Sequence, residues 1–84
     1  MKKINFTALP VQDIEGNTQS VNIAKHIGNQ LYMQGMDIEE CELGKTIYYS
    51  EGEIELDEKQ AKSVLRISSG YPYLSRHAIE TILI

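Results

Sequence analysis

The chain lacks the residues that small domains most often use for covalent or metal cross-links. Its 84 residues include one cysteine, two histidines and no tryptophan. A single cysteine, Cys41, excludes a disulfide within the chain and is typical of a reducing cytosol. Neither Cys41 nor His26 and His77 belong to a metal-ligand spacing such as HxxxH or CxxC. The sequence therefore predicts neither a metal site nor a cofactor.

Long apolar runs and glycine-rich loops are also missing. No segment approaches the ~20 apolar residues that a transmembrane helix requires. Met1-Lys2-Lys3 is followed by an alternating stretch instead of the apolar centre of a signal peptide. No glycine-rich phosphate-binding loop is present, and Asp37, Glu39 and Glu40 do not fit the glycine-centred loop that binds calcium. These absences favour a cytoplasmic protein without membrane association.

An enzymatic role would have to come from residues that only folding brings together. Cys41 and a histidine are a nucleophile–base combination that the composition offers. No flanking motif orients such a pair, so we favour a packing role for Cys41. We predict no catalytic residue and no enzymatic activity.

Charge is distributed unevenly along the chain, whose net charge is −4. Between Asp37 and Glu58 there are nine acidic residues and one basic residue, Lys45, which gives −8. The other residues include seven basic and three acidic ones, which gives +4. Acidic residues near helix starts and on a solvated strand face are the simplest explanation. An acidic surface that meets a basic partner is the alternative.

Periodicity and capping signals predict four helices. The strongest signal is Asp57 followed by Gln60, because these residues can form a capping box. That helix should run to about Ser68, with Gly70 as a left-handed stop. Another runs from about Ile23 to Gln34 and is capped by Asn22 or Ser20. A further one begins near Asp37, which can cap it, and the last follows Pro72.

Gly28 and Gly44 fall on the core-facing arcs of the first and second helices along the chain. A glycine inside a helix costs about 1 kcal/mol relative to alanine, so we expect both glycines to permit close packing of these helices. Glu40 falls inside the apolar arc of the second helix, where it disturbs the pattern.

Alternation and turn signals predict three strands. The first has Ile4, Phe6 and Ala8 on its buried face, and Pro10 ends or bends it. The other elements are a turn at residues 15–18, a strand at Gln19–Val21 that completes a hairpin, and a short third strand near Ile54. We therefore predict a single α+β domain over residues 1–84, in which an N-terminal hairpin and a short third strand pack with about four helices.

The C-terminal region predicts an interface. After Thr81 the chain is apolar to its last position, Ile84, and tyrosines flank Pro72. Tyrosine is enriched at interfaces because its ring buries area while its hydroxyl stays wet. The candidate interface residues are Tyr71, Tyr73, Ile82, Leu83 and Ile84. Since a chain of this length has a modest core, we predict a non-enzymatic interaction or assembly protein that forms a homo-oligomer, with a dimer favoured, or binds a protein partner.

A nucleic-acid-associated regulator is the alternative function. The helices predicted between Ile23 and Ile47 could form a helix-turn-helix. The second of these helices carries four acidic residues against one lysine and would repel phosphates. A basic surface on other helical positions would have to supply the phosphate contacts, from Lys25, Lys59, Lys62, Arg66 and Arg76. Nucleic acid is therefore the less favoured partner.

Four short motifs together resemble those of a known group of proteins. The motifs are D-x-x-G at Asp13–Gly16, G-x-x-L at Gly28–Leu31, E-L-x-x-x-I-Y at Glu42–Tyr48 and G-E-[IV]-E-L-[DS] at Gly52–Asp57. In this order the chain resembles short proteins encoded by bacteriophages and integrated mobile elements. The resemblance covers most of the chain but not Tyr71–Tyr73. It implies a phage or mobile-element context and no activity, because the motifs are structural rather than chemical.

Overall fold

Four short strands and four helices of equal length build the fold. The computed structural model describes all 84 residues. The strands are β1 (Lys2–Ile4), β2 (Leu9–Gln12), β3 (Thr18–Val21) and β4 (Ile54–Leu56). The helices, each of 11 residues, are α1 (Ala24–Gln34), α2 (Ile38–Tyr48), α3 (Glu58–Ser68) and α4 (Tyr73–Leu83). The predicted α+β class, with an N-terminal hairpin and four helices, is confirmed.

The strands pair into two antiparallel sheets of two strands each. β1 pairs with β4, so that Ile4 lies opposite Ile54, and β2 pairs with β3, so that Leu9 lies opposite Val21. The β2–β3 hairpin turns at Gly16, whose φ of 85° is the only positive φ in the chain. Glycine adopts this conformation without the steric penalty of a side chain. The predicted third strand is present, and it pairs with the start of the chain.

The predicted first strand is wrong in its second half. Phe6 is buried as predicted, but Ala8 is exposed. The Asn5 side chain accepts the Thr7 N–H at 3.0 Å, and the Ala8 N–H bonds to the Asn5 carbonyl oxygen at 3.3 Å. These bonds close a turn that interrupts the alternation. Pro10 consequently lies inside β2, in a two-stranded sheet where every strand is an edge.

Carboxylate caps begin two of the helices. At α3 the Asp57 carboxylate accepts the Gln60 N–H at 2.8 Å, and the Gln60 side chain accepts the Asp57 N–H at 3.0 Å. The predicted capping box is therefore confirmed. At α2 the Asp37 carboxylate accepts the Glu40 N–H at 2.9 Å, again as predicted.

α1 begins at Ala24, one residue later than predicted. The residue at its cap position is Ile23, which offers no side-chain hydrogen bond, and Ser20 lies in β3. The Asn22 side chain instead accepts the Ala24 N–H at 3.2 Å. Asn22 therefore bonds to the first residue of α1, but it lies one residue before the cap position instead of at it.

The predicted left-handed stop at Gly70 is also wrong. Its φ is not positive, and Ser69, the residue that follows α3, still has helical backbone angles. The Ser69 hydroxyl donates to the Arg66 carbonyl oxygen at 2.7 Å. A side chain thus satisfies a terminal carbonyl that a left-handed glycine commonly helps to satisfy.

The backbones of α1 and α2 approach each other closely where the two helices cross. A β-carbon added to Gly28 would lie 2.6 Å from the Tyr48 amide nitrogen, and one added to Gly44 would lie 2.6 Å from the Gly28 carbonyl oxygen. These distances are shorter than van der Waals contact. The close approach predicted from the two glycines is confirmed.

One apolar cluster of 15 buried residues connects the two sheets with all four helices. Its members are Ile4, Phe6, Leu9, Ala24, Ile27, Leu31, Leu43, Ile47, Leu56, Ala61, Val64, Ile67, Ala78, Ile79 and Leu83. Leu74 of α4 is exposed and borders an open groove between α4 and the β2–β3 hairpin. None of the four helices combines the length and the apolar character that crossing a bilayer requires.

Candidate protein-binding surface

Three large apolar side chains stand in solvent around the connection between α1 and α2. Met33, Met36 and Ile38 are 73%, 81% and 76% exposed, and they fall within six consecutive positions. Single exposed apolar residues are ordinary on protein surfaces, whereas several of them close together in the chain favour an interaction site. We name these three residues the connection surface.

Closely packed backbone positions the connection surface. Gly35 follows α1, and a β-carbon there would lie 2.6 Å from the Leu31 carbonyl oxygen. The chain therefore turns in a space that no side chain can enter. The helices on the two sides of this turn, α1 and α2, are in close contact at Gly28 and Gly44.

Glu40 fastens this connection to α3. Its carboxylate oxygen Oε1 accepts the Met36 N–H at 2.8 Å and an N–H of the Arg66 guanidinium at 2.8 Å. Glu40 is 6% exposed, whereas the Arg66 side chain is 44% exposed. The bonds from Arg66 and from the Met36 amide lower the pKa of Glu40 to about 2. Glu40, which disturbs the apolar pattern of α2, is thus an ionised carboxylate that forms an ion pair with Arg66 of α3.

Replacing Glu40 by glutamine is expected to lower the free energy of unfolding by about 1.5 kcal/mol at neutral pH, because it removes the charge that strengthens both hydrogen bonds. The folded-state pKa lies below the 4.5 of an ordinary glutamate. The stabilisation is therefore complete above about pH 5 and is lost as the pH falls towards 2. Urea unfolding of both proteins at a series of pH values measures the difference, which should shrink in that window.

Glu39→Gln is the matched control for this prediction. Glu39 is the preceding residue, and it pairs with Lys59 through exposed side chains. Exposed ion pairs contribute little to stability, so a smaller loss is expected. A wild-type advantage over Glu40→Gln that stayed constant from neutral to strongly acidic pH would contradict the role given to Glu40.

A groove of about 570 Å³ lies between α2 and α3, beside the connection surface. Ile38 of the connection surface lines it, together with the carboxylates of Glu39, Glu42 and Asp57. Leu43, which is buried, also lines it. We name this feature the α2–α3 groove.

The α2–α3 groove is negatively charged. Four carboxylates line it, those of Glu39, Glu40, Glu42 and Asp57, and Asp37 directly precedes the lining residue Ile38. Three of these five pair with cations: Glu39 with Lys59, Glu40 with Arg66 and Glu42 with Lys45. Asp37 and Asp57, the two helix caps, have no cation within ion-pair distance, which leaves a charge of −2. Glu39, followed by Asp37 and Asp57, raises the pKa of Lys59, as expected in a field of this sign.

A second groove, of about 300 Å³, lies over the crossing of α1 and α2. Tyr32, Tyr48 and Tyr49 line it. Lys25 lies over the Tyr48 ring at 5.0 Å, and Lys45 lies over the Tyr32 ring at 5.6 Å. These cation–π contacts cover the aromatic faces on which a ligand would stack. We therefore assign this groove no ligand.

The predicted interface residues at the end of α4 differ in their surroundings. Leu83 belongs to the core, at 5% exposure, and Ile82 packs against the core while partly buried. Tyr73 and Ile84 are exposed. Self-association through Tyr73 and Ile84 stays a prediction.

Tyr71, the fifth predicted interface residue, makes contacts inside the chain. Its hydroxyl donates to Gln30 Oε1 at 2.6 Å, and its ring lies against His26 at a centroid distance of 5.4 Å. Burial raises the pKa of Tyr71 to about 12. Tyr71 thus connects α1 to the segment between α3 and α4.

Most cations of the predicted basic surface are paired within the chain. Lys59, Lys62, Arg66 and Arg76 each lie within 4.0 Å of a glutamate oxygen. Lys25 is the exception. A paired cation must exchange its carboxylate for a phosphate when it binds nucleic acid, which weakens the attraction that supplies most of the affinity.

Cys41 and the histidines take part in separate contacts. The Cys41 thiol bonds to the Tyr32 carbonyl oxygen at 3.4 Å. His26 lies against Tyr71, and His77 stacks on another tyrosine at 5.5 Å. No groove is lined by Cys41 together with a histidine. No group of three or more histidine, cysteine or carboxylate side chains has an arrangement that could hold a metal ion.

The connection surface is absent from the residues that sequence reasoning selects, although a signal for it exists. The core arc of α1 contains Ile27 and Leu31, so Met33 lies off that arc. Met36 and Ile38 flank a helix cap, outside the core-facing arcs of both helices. An apolar residue with no buried face to occupy is expected in solvent.

Comparison of the chain with protein-family models, curated proteins and solved structures returned no match. The resemblance to phage and mobile-element proteins therefore stays a prediction. The function has to be inferred from the geometry of the molecule.

Proposed function

We propose that this is a non-enzymatic interaction protein that binds a protein partner through the connection surface. The observation that carries the proposal is the exposure of Met33, Met36 and Ile38, each above 70%. Covering apolar surface contributes about 25 cal/mol per Å², and a few anchors dominate a typical interface. Two of the three methionines of the chain lie here, and the flexible thioether side chain adapts to partners of different shape.

The cellular setting belongs to the same proposal. A cytoplasmic adaptor or assembly protein of phage or mobile-element type agrees with the free thiol of Cys41 and with the motif resemblance. Covering the connection surface in the cell would also protect it from non-specific association.

A second copy of the chain is a further candidate partner, at a different surface. Tyr73 and Ile84 are exposed, and the homodimer predicted from the sequence would form there. Light scattering over a range of concentrations tests it, on the wild type and on Tyr73→Ser/Ile84→Ser. The mass of one chain at every concentration would contradict the dimer.

Site-specific photo-cross-linking in the cells that produce the protein tests the connection surface. Benzoylphenylalanine replaces Met36 in one variant and Ile14 in the control, since Ile14 is fully exposed in the β2–β3 turn. We expect a discrete adduct with another protein from position 36 and none from position 14. Adding Ile38→Ser should remove the adduct, because it deletes an apolar anchor while the Asp37 cap stays intact. No adduct from position 36, or the same adducts from both positions, would overturn the proposal.

A further inference from the structure

We propose that the partner presents an amphipathic helix, whose apolar face covers the connection surface and whose lysine or arginine residues meet the carboxylates of the α2–α3 groove. The inference rests on the proposed function and adds the class of partner. Ile38 links the two features, because it belongs to the connection surface and also lines the groove. A single bound segment can therefore contact both.

The charge of the groove selects a basic segment. Five carboxylates and three cations leave −2 in and around it. The side chains of Glu39 and Glu42 pair with Lys59 and Lys45 but remain 69% and 65% exposed. Because a carboxylate can accept several hydrogen bonds, a cation of the partner can bind either one without displacing its lysine. Complementary charge fixes the orientation of a partner and accelerates its encounter.

The walls of the groove select a helix. They are the helices α2 and α3, whose backbone groups bond within each helix. An extended segment would find no backbone partners there for its own N–H and C=O groups. A helix satisfies these groups internally and offers side chains at i, i+3 and i+4. The strand edges to which an extended segment could add belong to the two sheets.

A second copy of this chain does not fit the groove. The segment from Asp37 to Glu58 carries −8 and the whole chain −4, so two copies meeting here would bring like charges together. Six of the eight lysine and arginine residues already pair within the chain. The other two, Lys2 and Lys25, lie on a strand and on α1, and do not form one amphipathic face.

Binding of designed peptides to the full-length protein tests the inference. The probe is a fluorescein-labelled peptide of about 14 residues, about four helical turns, with leucine and lysine placed at helical spacing. One control peptide has the same composition in an order without an amphipathic face, and another has glutamate in place of lysine. Fluorescence anisotropy measures the Kd. We expect the amphipathic lysine peptide to bind at least about tenfold more tightly than either control.

A matched pair of variants tests the apolar part of the surface. Met36→Ser/Ile38→Ser is expected to raise the Kd about tenfold, since both substitutions truncate central anchors. Ile14→Ser, at a fully exposed isoleucine in the β2–β3 turn, should leave the Kd unchanged.

A second matched pair tests the charge. Glu39→Gln/Glu42→Gln is expected to raise the Kd about threefold, and more at low salt, because screening is then weaker. Glu51→Gln/Glu53→Gln makes the same change in charge at exposed residues before β4 and should have no more than about half of that effect. Thermal unfolding followed by circular dichroism verifies that each variant is folded.

Equal losses within both pairs would show general attraction between a cationic peptide and an acidic protein, and would overturn the inference. Equal binding of the control peptides, or no binding, would also overturn it. None of these outcomes alters the cross-linking result at position 36. The experiments can therefore distinguish two outcomes: the partner is not a basic amphipathic helix, or the connection surface is not an interface.

Discussion

Gly28→Ala is expected to lower the free energy of unfolding by about 2 kcal/mol, although alanine is the better helix former. Intrinsic propensity favours alanine by about 1 kcal/mol. The new β-carbon, however, would lie 2.6 Å from the Tyr48 amide nitrogen and 2.7 Å from the Gly44 carbonyl oxygen. Both are backbone atoms that cannot rotate away, so α1 and α2 must separate. Overpacking of this kind costs about 3 kcal/mol at the upper end of its usual range, which outweighs the gain in propensity.

Urea unfolding measures this change, with Gly70→Ala as the control. No atom lies within 4 Å of the β-carbon position of Gly70, and its φ is not left-handed. The control should be neutral or stabilising by less than about 1 kcal/mol. A domain of this size has a total stability on the order of 10 kcal/mol, so the loss at Gly28 is readily measured. Equal stability of the two variants would show that close helix approach does not require glycine at position 28.

Leu83→Ala is expected to lower the free energy of unfolding by about 3 kcal/mol, because it removes buried apolar surface and leaves a cavity. Ile84→Ala is expected to change it by less than about 0.5 kcal/mol. The two residues are adjacent, but Leu83 is 5% exposed and Ile84 is 80% exposed. The comparison therefore separates a residue of the core from a residue free to contact a partner.

Thermal unfolding and light scattering on both variants check this prediction. Loss of stability in Leu83→Ala at unchanged molecular mass is the expected result. If Leu83→Ala kept its stability and lost only an oligomer, Leu83 would be an interface residue, as its apolar sequence neighbourhood suggests.

Signals that act over a few residues could be predicted from the sequence. The capping box of Asp57 and Gln60 depends on two residues three positions apart, and the structure has both of its bonds. Gly28 and Gly44 mark the helix crossing because a glycine on a core-facing arc has no local benefit. Apolar periodicity located all four helices because it, too, is read from residues three and four positions apart.

Features that depend on distant residues could not be predicted. Glu40 looks misplaced on its helix until Arg66, 26 positions away, supplies the opposite charge. Leu83 and Ile84 are both apolar, and only the packing of α4 decides which of them is buried. The end of the first strand was missed for a local reason instead: Ala8 alternates correctly with Phe6, but alternation does not register the side-chain bonds of Asn5, which outcompete the strand.

The division of the strands into two small sheets has a consequence for fibril formation. Four unprotected strand edges in one small molecule would ordinarily invite polymerisation into fibrils. Here the strands are three or four residues long, Pro10 withdraws a donor from β2, and Lys3 and Glu55 place opposite charges on the β1–β4 ribbon. An incoming strand from another molecule would gain few bonds at any of these edges. We therefore expect no fibrils to grow from these strand edges, even in concentrated solution.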